Sequence, residues 1–404
     1  MPRFSERAKN LPASPIRKLA PYAEAAKARG TKVFHLNIGQ PDVETPPEFF
    51  EAISMADLSV LAYSHSAGIE PLRQQIAAYY SRLDHEISKD EVLVTTGASE
   101  ALNFVFTAIL NPGEEVIVPE PFYANYVSFS LGNGGRVVPI TTHIEDDFAL
   151  PPIEAFEKKI TPQTRAILIC NPGNPTGMLY QDDALEELRE IAMEHDLFLI
   201  ADEVYREFAY DDNVHHSTLG LDGLEDNVVV IDSISKRFSA CGARIGCIVT
   251  RNKPLMQLVL KMAQARLSPP TLGQLGATAV YHLPHSYYQG VINEYSKRRK
   301  LLQAALGKMD GVVCPHVNGA FYAMVRLPVD NAEVFCQWML EEFSYQGATV
   351  MMAPGAGFYA TPGLGKDEVR IAYVLNGEDL KAAMACLEAG LKAYAEKQSI
   401  GAAT

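Results

Sequence analysis

The sequence predicts a large α/β domain built on a mostly parallel sheet covered on both faces, with a smaller α+β domain beside it. Three observations carry this. Seven short apolar runs recur between residues 92 and 249, and they lack polar alternation, as strands buried on both faces do. Helical segments such as 101–110 and 182–194 separate them. After a long helical stretch at 287–309 the regime changes, and strands at 320–325, 349–352 and 369–374 alternate with helices at 332–343 and 377–393.

In chain order, a proline-rich arm, Leu11-Pro-Ala-Ser-Pro15, precedes a helical pattern over 16–28 and a short strand at 33–38. Gly39-Gln-Pro-Asp42 and Thr45-Pro-Pro47 form a turn-rich passage that opens a helix over 47–55. The loop Tyr63-Ser-His-Ser-Ala-Gly68 follows, then a helix over 71–83 with Leu72, Ile76, Tyr79, Tyr80 and Leu83 on its broad apolar face. The seven strands are expected at 92–94, 116–118, 137–138, 166–169, 198–200, 228–231 and 247–249. The Lys-Arg-Arg-Lys run at 297–300 is expected to be a solvated helix face. Residues 1–44 are expected to form an N-terminal arm and part of the small domain, 45–290 the large domain, and 291–404 the small C-terminal domain.

Composition narrows the function classes. Among 404 residues, 35 Lys and Arg face 49 Asp and Glu, a formal net charge of −14 that would repel nucleic acid and an anionic membrane. Six cysteines without CxxC pairs or metal spacing fit a reducing compartment and no metal site. The first thirty residues carry Arg3, Glu6, Arg7 and Lys9 rather than an apolar run, and no window has the length of a membrane span. A cytoplasmic location is expected.

The chemistry concentrates where the strands end, the edge at which open α/β sheets bind ligands. After the run Val228–Ile231 comes Ser233-Ile-Ser-Lys-Arg-Phe-Ser-Ala-Cys-Gly-Ala-Arg-Ile-Gly246, which can aim one amine and several phosphate ligands at one spot. A lysine with a lowered pKa forms a Schiff base with a carbonyl. Pyridoxal 5'-phosphate is such a carbonyl, with Lys236 as its amine and Ser233, Ser235 and Arg244 as phosphate ligands. Thr95-Thr-Gly-Ala-Ser-Glu100 puts Gly97 at a helix start, where the N–H groups of Ala98 and Ser99 make an anion site. Pro121-Phe-Tyr-Ala-Asn-Tyr126 offers aromatics that could stack on a flat ring. Cys170-Asn-Pro-Gly-Asn-Pro-Thr-Gly177 leaves the Asn174 amide free to donate. Asp202 ends a buried strand and needs a positive partner, for which a protonated pyridine nitrogen would serve. Taken singly, each motif also has a plain reading: a solvated turn, a helix cap, core aromatics, or a carboxylate satisfied by backbone N–H groups.

Together, Asn174-Pro-Thr-Gly177, Asp202-Glu-Val-Tyr205, Ser233-x-Ser-Lys236 with Arg244-Ile-Gly246, and Arg370-Ile-Ala-Tyr373 resemble the class I/II aminotransferases, fold type I enzymes that use pyridoxal phosphate. The resemblance covers nearly the whole chain, in order and at the family's intervals. It implies that Lys236 binds the cofactor covalently and shuttles a proton, and that Asp202 pairs with the ring nitrogen. Asn174 and Tyr205 would bond the ring's phenolic oxygen, and Tyr123 would stack on the ring. Gly97, Ala98, Ser99, Ser233, Ser235 and Arg244 would cradle the phosphate, with Tyr63 reaching the cofactor of a neighbouring subunit. Arg370, assisted by Gly39 and Asn174, would grip the substrate carboxylate.

The implied reaction moves an amino group from an L-amino acid to a 2-oxo acid by a ping-pong scheme in a homodimer with shared sites, with 2-oxoglutarate the commonest acceptor in such families. The lysine that some aspartate-using relatives carry at the position of Ser99 is absent, so acidic, aromatic, alanine-like and branched donors all remain open. Arg266 reads as a structural arginine or as a ligand for an acidic side chain in a partner's site. A lyase on the same fold is the alternative reading, and a cofactor-sensing regulatory domain a remote one.

Overall fold

The computed structural model describes residues 2–402. Its strands are β1 Lys32–His35, β2 Val92–Thr95, β3 Glu115–Glu120, β4 Arg136–Thr141, β5 Thr164–Cys170, β6 Phe198–Asp202, β7 Val228–Ser233, β8 Gly246–Val249, β9 Tyr322–Arg326, β10 Ala348–Met351, β11 Ala353–Pro354 and β12 Glu368–Ala372. The seven apolar runs all become strands of one sheet, ordered β2-β8-β7-β6-β5-β3-β4. Successive residues of a strand face opposite sides, and in every strand but the edge strand β4 both sides are buried. Ile117, Ile167, Leu199 and Val230 pack with Leu185, Leu188 and Ile191 of the helix Asp182–Glu194. Val116, Leu168, Ile200 and Val229 pack with Leu102, Val105 and Phe106 of the helix Gly97–Ile109.

One strand runs the other way. β8 is antiparallel to both β2 and β7, whereas the remaining pairs are parallel. A parallel return needs a crossover, usually a helix lying across the sheet. The link from β7 to β8 holds only the helical turn Ile234–Arg237 and the tighter turn Cys241–Ala243, so the chain doubles back. Gly246, the first residue of β8, therefore lies opposite both Thr95 and Ser233, the last residues of β2 and β7.

The other strands form two small sheets: β1 parallel to β10, and β11-β12-β9 antiparallel. Leu19, Ala23, Phe34 and Leu36 from the start of the chain share a core cluster with Phe335, Met339, Leu380 and Leu387 from the helices Ala332–Glu341 and Gly377–Ala402.

Several sequence expectations are corrected. The helix expected from residue 16 spans Ala20–Ala28, because Pro21 is tolerated only in a first turn. The helices Lys253–Arg266 and Thr271–Val280 fill a stretch to which periodicity assigned nothing. The basic run at 297–300 is not a solvated face: Lys297 and Lys300 are exposed, but Arg298 and Arg299 are buried. Arg298 reaches Asp42 at 2.5 Å, and Arg299 reaches Asp211 at 2.7 Å and the Val317 carbonyl at 2.8 Å. Burial of these arginines is possible because each meets a carboxylate and a carbonyl.

The end of β7 is pinned from beneath. The side chains of Asp232 and Arg237, both 0% exposed, form an ion pair, and Tyr80 Oη donates to Asp232 at 3.1 Å. Removing one partner of such a pair leaves a buried charge alone. Arg237→Met is therefore expected to destabilise the protein by about 3–5 kcal/mol, read as a lower urea midpoint at unchanged slope.

Candidate active site

A cavity of about 400 Å³ opens at the C-terminal edge of β5, β6 and β7. The register sets its floor: Cys170 lies opposite Asp202, and Asp202 opposite Ile231, so three loops leave the sheet side by side. Asp202 is buried, and its Oδ2 accepts from Tyr126 Oη at 2.7 Å, with Val204 N a distant 3.4 Å from Oδ1. Burial is the chief cause that raises its pKa from 3.8 to about 6, opposed by the Tyr126 bond and, more weakly, by the Lys236 charge. Among the described residues no basic side chain lies within ion-pair distance of it.

Lys236 projects from the turn after β7, and its Nζ donates to the Gly39 carbonyl at 2.9 Å. Ser233 caps the same turn. Its hydroxyl lies 2.7 Å from that of Ser235 and 2.9 Å from the Ile245 carbonyl, and both serines line the cavity. Arg244 follows the turn in the left-handed region, at φ 56°. Because β8 is reversed, Arg244 arrives at the same edge as the start of the helix Gly97–Ile109. That helix has no side-chain cap on its first N–H groups, and Ala98 and Ser99 line the cavity. Two glycines permit the approach. Gly97 has φ +74°, and a Cβ there would lie 2.4 Å from Arg244 Nη2. A Cβ on Gly246 would lie 2.6 Å from Ala98 N.

Arg370, on β12, enters from the opposite wall and is 1% exposed. Its Nη1 donates to Asn174 Oδ1 at 2.9 Å and its Nη2 to the Asn37 carbonyl at 2.5 Å, while Nε has no partner among the described residues. Tyr322 and Phe358 present ring faces 4.5 and 5.0 Å from the guanidinium. Burial lowers its pKa, yet an arginine keeps its charge at neutral pH, and no carboxylate among the described residues neutralises it. Tyr205 and Tyr322 share a 2.8 Å hydroxyl contact. Burial first, then Tyr322, hold the Tyr205 phenol well above its ordinary pKa, so it stays protonated as a donor.

The structure thus brings Lys236, Asp202, Tyr205, Asn174, Arg370, Gly39, Ala98, Ser99, Tyr123, Ser233, Ser235 and Arg244 to one cavity, with Gly97 just behind its wall. Tyr63 is elsewhere, 79% exposed on the surface. Arg266 is tied down within its own chain, to Glu100 at 2.6 Å and the Ser66 carbonyl at 2.9 Å, which is the structural reading. Sequence reasoning missed Tyr322 and the bond from Tyr126 to Asp202. Tyr126 was legible only as one more aromatic in a loop, and nothing in the spacing ties Tyr322 to Tyr205. Ser14, Ile16 and Arg17 of the arm also line the cavity.

Comparison with known proteins agrees with this geometry. The family model described as aminotransferase class I and II matches residues 31–387. An aspartate aminotransferase of Pyrococcus abyssi is 32% identical over 397 residues, covering 96% of this chain and 98% of that protein. A putative aminotransferase of Bacillus subtilis is 34% identical, covering 94% and 96%. Among solved structures, an aspartate aminotransferase of Thermotoga maritima superposes with a TM-score of 0.88 at 31% identity, covering 96% of this chain and all of that one. An alanine aminotransferase of Pyrococcus furiosus gives the same TM-score, identity and coverage. The amine, the unpaired carboxylate and the unpaired guanidinium therefore sit in a member of a known family: the chain belongs to the class I and II aminotransferases, pyridoxal-phosphate-dependent enzymes that exchange amino groups between amino acids and 2-oxo acids.

Proposed function

We propose that the chain moves the α-amino group of an L-amino acid to a 2-oxo acid, with 2-oxoglutarate the usual acceptor, in two half-reactions of ping-pong form at this cavity. The observation that carries the reading is the meeting, in one cavity, of the Lys236 amine, a buried carboxylate and a buried guanidinium, the last two without an ion-pair partner among the described residues.

The residues fit pyridoxal phosphate. The uncapped start of the helix Gly97–Ile109, with Ser235 and Arg244, suits a phosphate. Asp202, lifted to about 6 by burial, would regain its charge beside a protonated ring nitrogen. Asn174 and Tyr205 would donate to the ring's phenolic oxygen, and Tyr123 would cover the ring. When bound, the cofactor supplies an electron sink for the pair left on the substrate's α-carbon. Lys236 Nζ takes the α-proton and returns it, and Gly39 holds that amine in place beforehand. Arg370 binds the α-carboxylate, assisted by Asn174 and the Gly39 backbone, and so orients the C–H bond toward Lys236.

Three further readings belong to the proposal. The protein works as a homodimer: Phe50, Met55, Val60, Leu61 and Tyr63 are large apolar side chains exposed on one short stretch, a surface a second copy would cover. Tyr63 would then complete the partner's site. Residues 45–290 form the cofactor-binding domain, and 1–44 with 291–404 form the arm and the small domain. A cytoplasmic location accords with the absence, among the described residues, of any helix long and apolar enough to cross a membrane.

Two variants test the roles. Lys236→Ala is expected to abolish transamination while the protein stays folded by circular dichroism; turnover at the wild-type rate would refute the assignment. Asp202→Asn separates stability from activity. A raised folded-state pKa means the native protein holds a proton that the unfolded chain has released between pH 3.8 and about 6. The group's contribution to stability is therefore present at low pH and lost as pH rises through about 6. In the cofactor-free protein, Asp202→Asn should gain on the order of 2–3 kcal/mol at pH 8, and the gain should vanish as the pH falls below the unfolded-state pKa of 3.8. Turnover of the loaded variant should fall by about 100-fold or more.

A further inference from the structure

Tyr322 lines the cavity and has no task in the proposed reaction. It is the first residue of β9 and is 2% exposed. In the antiparallel pairing of β9 with β12, Tyr322 lies opposite Ala372 and Met324 opposite Arg370, so Tyr322 and Arg370 are diagonal neighbours on one face. That register brings the Tyr322 ring to the Arg370 guanidinium, 4.5 Å away.

The Tyr322 hydroxyl is closely confined. A Cβ on Gly39 would overlap it, so the phenol packs against bare backbone, at the residue whose carbonyl takes Lys236 Nζ. Among the described residues its hydrogen-bond partner is Tyr205 Oη, at 2.8 Å, and Tyr205 Oη has no other. The two rings meet edge to face, with centres 5.4 Å apart at 85°. Lys236 Nζ lies 6.0 Å from the centre of the Tyr205 ring, so the pair of phenols stands beside the amine.

Each hydroxyl has one proton to donate and can also accept. When Tyr205 donates to the phenolic oxygen of the bound cofactor, its proton is no longer free for Tyr322, and the 2.8 Å contact is made by the Tyr322 proton instead. From this arrangement we infer that Tyr322 is a positioning residue: its hydroxyl donates to Tyr205 Oη and so turns the Tyr205 proton toward the cofactor. The inference rests on the proposed aminotransferase reading and adds a residue to its site. Each bond in such a chain polarises the next, which makes Tyr205 the stronger donor. A stronger donor favours the ionised form of the phenolic oxygen, and this lowers the pH at which the cofactor linked to Lys236 gives up its proton.

The test is a pH titration of the visible absorbance of the pyridoxal-phosphate-loaded protein, for the wild type, Tyr322→Phe, Tyr205→Phe and the double variant. Phenylalanine at 322 removes the hydroxyl and keeps the ring beside Arg370. Tyr322→Phe should raise the midpoint by about half a pH unit, and Tyr205→Phe should raise it further. The double variant should match Tyr205→Phe alone, because Tyr322 acts through Tyr205. A wild-type band that does not titrate, an unchanged or lowered midpoint in Tyr322→Phe, or the same rise from Tyr322→Phe with and without Tyr205 would overturn the inference and leave the aminotransferase reading intact. No visible band from the wild type mixed with pyridoxal phosphate would overturn both.

Discussion

The active edge of the sheet rests on the buried ion pair between Asp232 and Arg237. These residues flank the segment that carries Ser233, Ser235 and Lys236, so the pair fixes both ends of the turn that presents the amine. Two charges out of water are costly unless matched and hydrogen-bonded, and here the matching extends further. Tyr80 donates to Asp232, and Arg237 also approaches Glu207 at 3.7 Å, a carboxylate bonded by Tyr79. Beside them Arg206 lies 3.5 Å from Glu203, which takes Ser217 Oγ at 2.9 Å and Thr218 N at 3.0 Å. Glu203 and Arg206 are the chain neighbours of Asp202 and Tyr205. Asp202, Tyr205 and Lys236, which face the cavity, thereby each have a chain neighbour held in a buried ion pair.

The same edge depends on the reversal of β8. With a parallel crossover, the residues before β8 would lie at the far end of the sheet, and Arg244 with them. The short return keeps Lys236 and Arg244 on one loop and delivers the guanidinium to the start of the helix Gly97–Ile109. Arg370 comes from a separate sheet, so the cavity is built from more than the large sheet. Its guanidinium is held by Asn174 from the loop after β5 and by Asn37 from the start of the chain.

Much of this was legible in the sequence because burial on both faces leaves unbroken apolar runs, and several of these runs end in residues that combine into one constellation. Lys236 and Asp202 were readable for that reason, whereas Arg370 came only with the resemblance to the aminotransferase family. What escaped the reading is set by tertiary contact. The burial of Arg298 and Arg299 depends on Asp42 and Asp211, far away in sequence, and a run of four basic residues gives no hint of them. The direction of β8 depends on what the preceding link contains, not on the strand's own composition. The bonds from Tyr126 to Asp202 and between Tyr205 and Tyr322 join residues with no shared periodicity. The turn at Ser14–Lys18 reads as a proline-rich arm, and only its anchors on Asn37 and Glu333 place it at the cavity.

The central claim is that the amino group itself is carried from one substrate to the other. The most direct measurement supplies nitrogen-15-labelled L-amino acids to the cofactor-loaded protein, removes them, adds an unlabelled 2-oxo acid, and follows the label by mass spectrometry. The account predicts the label in the newly formed amino acid, one labelled product per active site in a single pass, with the donor's 2-oxo acid released before the acceptor is added. Label recovered as ammonia, with no labelled amino acid formed, would contradict it.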